Sequence, residues 1–329
     1  MTHGLVLGKF MPPHAGHVYL CEVARRMCDR LTIVVGTLAR EPIDGALRHA
    51  WMRELFPNER VIHLTDENPQ HPSEAADFWE IWRRSLTRVI DEPVDVVFAS
   101  EEYGSELARV LAARFVSVDP ARETFPVSGT SVREDPMEHW RFLPRCVRPH
   151  FVRRVSILGP ESTGKTTLAS SLSETLDTVM VAEWARHVLE SRGGSLEGLD
   201  WSELVRGQLA SEDALAREAN RVLVCDTDPL ATTVWMDTLA GGCTPLLRTI
   251  AESRSYELTL LTAPDVAWVK DDVRYLPDGG VAFFSACEAA LKRAGREYVV
   301  VRGDWRERQE IAERAVERLM RFKAPIHTR

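Results

Sequence analysis

Two short stretches of this 329-residue chain gather residue types suited to holding phosphate. The first defined by its spacing is Gly159-xxxx-Gly164-Lys165-Thr166, which meets the P-loop pattern at every fixed position. It follows the apolar run "VSIL" and precedes a helical pattern, the context this motif needs. Residues Gly159, Glu161, Ser162, Thr163, Gly164 and Thr167 would surround the phosphates of ATP or GTP, chiefly with backbone amides. Lys165 would reach the β and γ oxygens, and Thr166 would offer a hydroxyl to Mg²⁺. The second stretch lies near the start: Gly8-Lys9-Phe10, a turn forced by two prolines, then His14-Ala-Gly16-His17. Two histidines three apart on a first helical turn aim ring N–H donors at one point, and the helix dipole adds to the pull on an anion. Gly16, lacking a Cβ, leaves a nucleotide room to approach the backbone. Such a site suits the polyphosphate of ATP as charge builds during attack at the α-phosphorus. The plain alternative is a pair of surface histidines in a turn.

Other residues extend each site. "VSGTSVR", Val127 to Arg133, is a hydroxyl- and glycine-bearing loop ending in a cation at a helix start, so Ser128, Thr130 and Arg133 form a candidate pyrophosphate clamp. In the second half "VMVAEWAR" puts Glu183 and Arg186 just past a strand, where an acid can take the proton of an attacking hydroxyl. "VLVCDTD" puts Asp226 and Asp228 past another strand, where a carboxylate can bind Mg²⁺. Either acid could instead cap a helix, Asp228 above all, since Pro229 follows it. "WVKDDVRYLPDGG", Trp268 to Gly280, reads as a lid carrying Arg274 over ATP or as a solvated loop.

Parallel strands are needed to bring these loops to one edge, and the pattern supplies them. Short β-rich runs alternate with helical stretches throughout, the signature of α/β architecture: two doubly wound parallel sheets. "GLVLG", "LTIVVG", "VIHL", "VDVVFAS" and "RFVSVD" are the strands of the first half. "RRVSILG", "DTVMVA", "RVLVCD", "LTLLTA" and "YVVVR" are those of the second. "FLPRCVRPHF", Phe142 to Phe151, interrupts the pattern with two prolines and predicts a cut at about residue 149, giving domains 1–149 and 150–329. Each loop then follows the first strand of its own sheet, where open α/β sheets bind ligands.

Charge narrows the functions. A formal net charge of −8 excludes nucleic acid as the main partner, although Arg141 to Arg154 carries five arginines. Six cysteines show no CxxC pair and read as buried free thiols of a reducing compartment. No apolar stretch approaches the roughly twenty residues that span a bilayer, and a strand pattern begins almost at the first residue, so the expectation is a cytosolic protein, not membrane-embedded, without a signal peptide.

The HxGH stretch together with "VSGTSVR" resembles the nucleotidyltransferases that pair HxGH with a late "ISSTxxR"-type motif. Gly129 stands where that motif has its second serine. Followed by a P-loop half with "EWAR" and "DTD", the chain resembles the bifunctional NadR family over essentially its whole length, including "HWRFLPRCVRPHF" and "WVKDDVR". With the first strand near Gly4, the likeness is to the form without an N-terminal helix-turn-helix domain. The resemblance implies two steps of NAD salvage with ATP as co-substrate and Mg²⁺ as cofactor. The second domain would be a ribosylnicotinamide kinase making NMN from nicotinamide riboside. The first would be a nicotinamide-nucleotide adenylyltransferase joining NMN to AMP to make NAD. By the same resemblance His14 and His17 are catalytic, as are Lys165, Glu183 and Asp226. Gly8, Lys9 and Phe10 belong to the first ATP site, Trp79 or Trp82 stacks on nicotinamide unless both pack the helix, and Arg48 meets a substrate phosphate unless it is a surface arginine. Arg186 and Asp228 contact the riboside. Two alternatives keep the fold: one half acting as a nucleotide sensor that governs riboside uptake through a transporter, or the same chemistry on another nucleoside or on pantetheine phosphate. A homo-oligomer is compatible with all of these.

Overall fold

The computed structural model describes residues 1–267, 274–276 and 278–321. They form two compact units, Met1–Val147 and one beginning at Arg148. In the first, strands β1 (His3–Gly8), β2 (Arg30–Gly36), β3 (Arg60–Leu64), β4 (Val96–Ala99) and β5 (Arg114–Ser117) make one parallel sheet in the order β3-β2-β1-β4-β5. Helices α1 (Ala15–Met27), α2 (Gly45–Leu55), α3 (Phe78–Val89), α4 (Tyr103–Val110) and α5 (Gly129–Glu134) connect or follow the strands. The alternation of each strand distributes its side chains to two cores. Val6, Ile33, Val35 and Phe98 pack with α1 and α2, while Leu5, Val34 and Val97 pack with α3 and α4.

The second unit repeats the plan. After a single helical turn, α6 (Arg148–Phe151), come β6 (Arg153–Leu158), α7 (Lys165–Thr175), β7 (Met180–Val181), α8 (Trp184–Ser191), α9 (Trp201–Leu215), β8 (Val222–Asp226), α10 (Pro229–Leu239), α11 (Pro245–Ser253), β9 (Leu258–Thr262), α12 (Gly280–Arg293), β10 (Tyr298–Val301) and α13 (Trp305–Arg321). Its five strands are parallel in the order β10-β9-β6-β8-β7. Val155, Ile157, Val224 and Leu260 face α7 and α13, and Leu158 and Leu261 face α10 and α12. Both sheets are therefore covered on two faces, as the sequence predicts. The 142–151 stretch is less irregular than its prolines suggest. Pro149 sits in the first turn of α6, where its missing N–H breaks no helical bond.

Candidate active sites

In the first unit β1 ends at Gly8 and α1 starts at Ala15 with His14 as its N-cap, in extended conformation. The intervening turn brings the His14 and His17 rings to 3.8 Å between centroids. Gly16 permits this closeness: a Cβ there would lie 3.1 Å from the His14 ring. Behind His17, Phe10 is 1% exposed at φ 46 and meets the imidazole edge-on at 5.1 Å. Both Nδ1 atoms are buried without a hydrogen-bond partner. Burial, then the neighbouring His17, lowers the His14 pKa to about 2; burial, then Arg122, lowers that of His17 to about 4. The two rings are neutral at physiological pH, each with one N–H and one bare nitrogen.

The expected clamp docks directly on this turn. Ser128 caps α5, accepting from the Ser131 amide at 3.0 Å in a capping box. Arg133 donates to the Met11 carbonyl at 2.5 Å and to Thr130 Oγ1 at 3.1 Å. Gly129 has a steric reason: a Cβ would fall 2.7 Å from the Met11 oxygen, so serine could not sit there without a shift of the backbone. Gly8, Lys9, Phe10, His14, His17, Ser128, Thr130 and Arg133 all line one cleft of about 1390 Å³, and Trp79 and Trp82 line it too. Trp82 is fixed by its indole N–H on the Pro69 carbonyl at 2.9 Å. Ser128 reaches the cleft with its hydroxyl already engaged as a cap. Arg48 is placed elsewhere. It is wholly buried, donating to the Lys9 carbonyl at 2.7 Å and to Glu41 at 2.5 Å, and so holds the loop from behind. No solvated surface surrounds it.

In the second unit β6 feeds the glycine loop, which enters α7 through Gly164 at φ 77. Gly159 adopts φ 145, and a Cβ there would lie 2.2 Å from Thr262 Oγ1 at the end of β9. Thr163 joins the same hydroxyl at 2.6 Å. Lys165 Nζ donates to the Pro160 carbonyl at 2.9 Å, folded along the loop. Thr166 donates to Asp226 Oδ2 at 2.6 Å, while Asp226 Oδ1 is buried and unpartnered. That pairing of a hydroxyl and an orphaned carboxylate oxygen fits a hard divalent cation such as Mg²⁺.

A cleft of about 160 Å³ opens beside the loop, lined by Glu161, Ser162, Gly164, Lys165, Thr166, Thr167, Glu183, Arg186 and Arg274, with Trp201, Trp235 and Tyr275 among its walls. Burial raises the Glu183 pKa well above the usual carboxylate range; Lys165 and Arg186 oppose this and Asp226 adds to it. Burial likewise raises Asp226 against the pull of Lys165 and Thr166. Glu183 is the residue before α8 and makes no cap bond, so its carboxylate is turned to the cleft. Asp228 is not: it caps α10 through the amides of Leu230 and Ala231, and its other oxygen accepts from Ser156 at 2.7 Å and Arg296 at 2.6 Å. The capping role holds there, and both carboxylate oxygens are engaged within the protein. Glu161 also spends its carboxylate internally, accepting from the amides of Tyr275 at 2.8 Å and Leu276 at 3.0 Å. Of the expected lid, residues 268–273 and 277 lie outside the described residues.

Several residues escape a reading by motif. Arg308 of α13 is 1% exposed and donates to the carbonyls of Thr163, Ala263 and Gly303 and to Asp265, bracing the loop from below. In sequence it sits among solvated arginines of "WRERQE" and carries no signal. Trp201 and Trp235 look like core residues at helical spacing.

A model of the AAA domain family matches residues 154–308. The trifunctional NAD biosynthesis/regulator protein NadR of Escherichia coli (strain K12) is 29% identical over 297 residues, covering 84% of this chain and 72% of that protein. A crystal structure of a NadR protein in complex with NR superposes with TM-score 0.80 at 23% identity, over 98% of this chain and 96% of that one. Another, with NAD and AMP-PNP, gives 0.77 at 22% identity over 98% and 97%. Likeness to NadR proteins, in sequence and in fold, runs across both units.

Proposed function

We propose that the chain carries out two consecutive ATP-dependent steps of NAD salvage, one in each unit. The second unit transfers the γ-phosphoryl of ATP to the 5′-hydroxyl of nicotinamide riboside, releasing ADP and NMN. The first joins NMN to the adenylyl group of a second ATP, forming NAD and pyrophosphate. What carries this reading is the presence in one chain of two separate phosphate cradles, each at the carboxyl end of the first strand of its own parallel sheet, in a homologue of NadR.

In the kinase unit Lys165 exchanges the Pro160 carbonyl for β- and γ-phosphate oxygens, and Glu183 accepts the hydroxyl proton as the phosphorus–oxygen bond to ADP breaks. Thr166 and Asp226 would hold Mg²⁺, which would supply positive charge to neutralise the phosphates. Trp201 and Trp235 offer indole faces to the cationic pyridinium, while Arg186 contacts the riboside and Arg274 faces the phosphates. In the adenylyltransferase unit a phosphate oxygen of NMN attacks the α-phosphorus and pyrophosphate leaves. His14 and His17 donate N–H to the developing charge, and Thr130 and Arg133 hold the departing phosphates. Trp79 and Trp82 are the candidates for stacking on nicotinamide there.

Both cradles keep their polar side chains, which speaks against decay of either half into a sensor of riboside uptake. Among the described residues no helix is long and apolar enough to cross a membrane. Six free cysteines suit a reducing compartment, and we assign the cytosol. The test is incubation of the pure protein with nicotinamide riboside, ATP and Mg²⁺, followed by chromatography. NMN and then NAD are expected; NMN alone would remove the first step, and neither product would remove the reading.

A further inference from the structure

We propose that the indole of Trp305 is the platform on which the base of the nucleoside triphosphate stacks in the second unit. The inference rests on reading the glycine loop as a triphosphate site. Among the described residues Trp305 is one of few large apolar side chains left open to solvent, 54% exposed at the first position of α13. It lies against the loop itself: a Cβ on Gly164 would come within 2.2 Å of its ring. An exposed indole costs solvation free energy, yet the surroundings fix it there. Gly303 at φ 92 donates its amide to Asp265 at 2.8 Å. Asp304 and Glu307 bond each other's amides at 2.9 Å. Arg308, three residues on, grips the Thr163 carbonyl and places its guanidinium 5.8 Å from the ring centroid.

Sheet order gives the direction of the nucleotide. The loop leaves the middle strand, β6. Glu183 follows β7 at one edge, and the cleft for the phosphoryl acceptor opens on that side. The reacting γ-phosphate must point there. The ribose and base then leave toward the other edge, where β9 and β10 end and the turn 303–305 presents the indole. Stacking on an aromatic face tolerates any base, so this residue supplies affinity for the base without choosing among purines.

Calorimetry on the full chain carrying His17→Ala, which weakens the first site, tests the idea with Mg²⁺-ATP, Mg²⁺-GTP and inorganic tripolyphosphate as probes. Trp305→Ala should weaken ATP and GTP alike, by roughly five- to a hundred-fold, and leave tripolyphosphate unchanged; Trp305→Phe should keep most of the affinity. Equal loss for tripolyphosphate would mean the ring only shapes Gly164, and unchanged ATP binding would mean the base lies elsewhere. Either result overturns the proposal. No riboside enters this experiment, so a wrong acceptor substrate leaves it intact, whereas failure of Lys165→Ala to weaken any of the three probes would overturn the triphosphate site itself.

Discussion

Glu183→Gln isolates one proton. The substitution keeps shape and removes the charge proposed to accept the riboside hydroxyl hydrogen. General-base assistance is worth about 10²–10⁴ in rate, or roughly 3–5 kcal/mol of barrier. The structure favours the middle of that range or above. Among the described residues, the carboxylates near it are already engaged, Asp226 with Thr166 at 2.6 Å and Glu161 with the amides of Tyr275 and Leu276, so a fall of about 10³ in kcat for NMN formation is expected with little change in KM for ATP. The pH profile adds a second readout. Glu183 has its pKa raised by burial, so wild-type kcat should climb with pH as this group ionises, and the variant should lose that limb. Stability moves the other way. A carboxyl whose folded pKa lies above its unfolded one stabilises the fold below the unfolded value and loses that contribution as pH rises through the folded value. The glutamine variant should therefore resist urea better than wild type at pH 8 and equally at pH 4. Measurement is by initial rates of NMN release and by urea midpoints across that range. A loss of kcat under ten-fold, or a variant with the wild-type pH limb intact, would refute the assignment of Glu183 as base.

Arg308→Met leaves three carbonyls without a donor beneath the loop and should destabilise the second unit by about 3–5 kcal/mol. Urea unfolding and NMN formation at 37 °C would both report it, with conversion of supplied NMN to NAD untouched; undiminished stability would contradict the bracing role. His14 and His17 titrate well below the unfolded value of about 6.5. Their contribution is present above that value and is lost as pH falls from it toward 4, so the first unit should weaken on acidification. Calorimetric scans should find a shallower loss in His14→Gln, and equal slopes would show the rings are not the cause.

Much of the framework was legible because parallel sheets write themselves as short β runs between helical patterns. "GLVLG" and "VDVVFAS" became β1 and β4, and "RVLVCD" became β8, ending on Asp226. Phosphate loops were legible for the same reason that they work: glycine, lysine and hydroxyl at fixed spacing after a strand. Roles set by burial were not. Arg48 and Arg308 look in sequence like surface arginines, yet each is sealed beneath a loop whose carbonyls it binds. Asp228 could be an acid for the substrate or a cap, and its bonds to the Leu230 and Ala231 amides, Ser156 and Arg296 show the cap. Gly129 looked like a departure from a motif, and the Met11 carbonyl explains it.

The most direct trial of one reaction per cradle is a crossed pair of single substitutions in the full chain. With Lys165→Ala, nicotinamide riboside should yield no NMN, while NMN supplied directly still becomes NAD. With His17→Ala, NMN should accumulate from the riboside and NAD should not form. Mixing the two proteins should restore NAD from riboside. If either substitution stopped both steps in a folded protein, the two units would not be working on separate triphosphates.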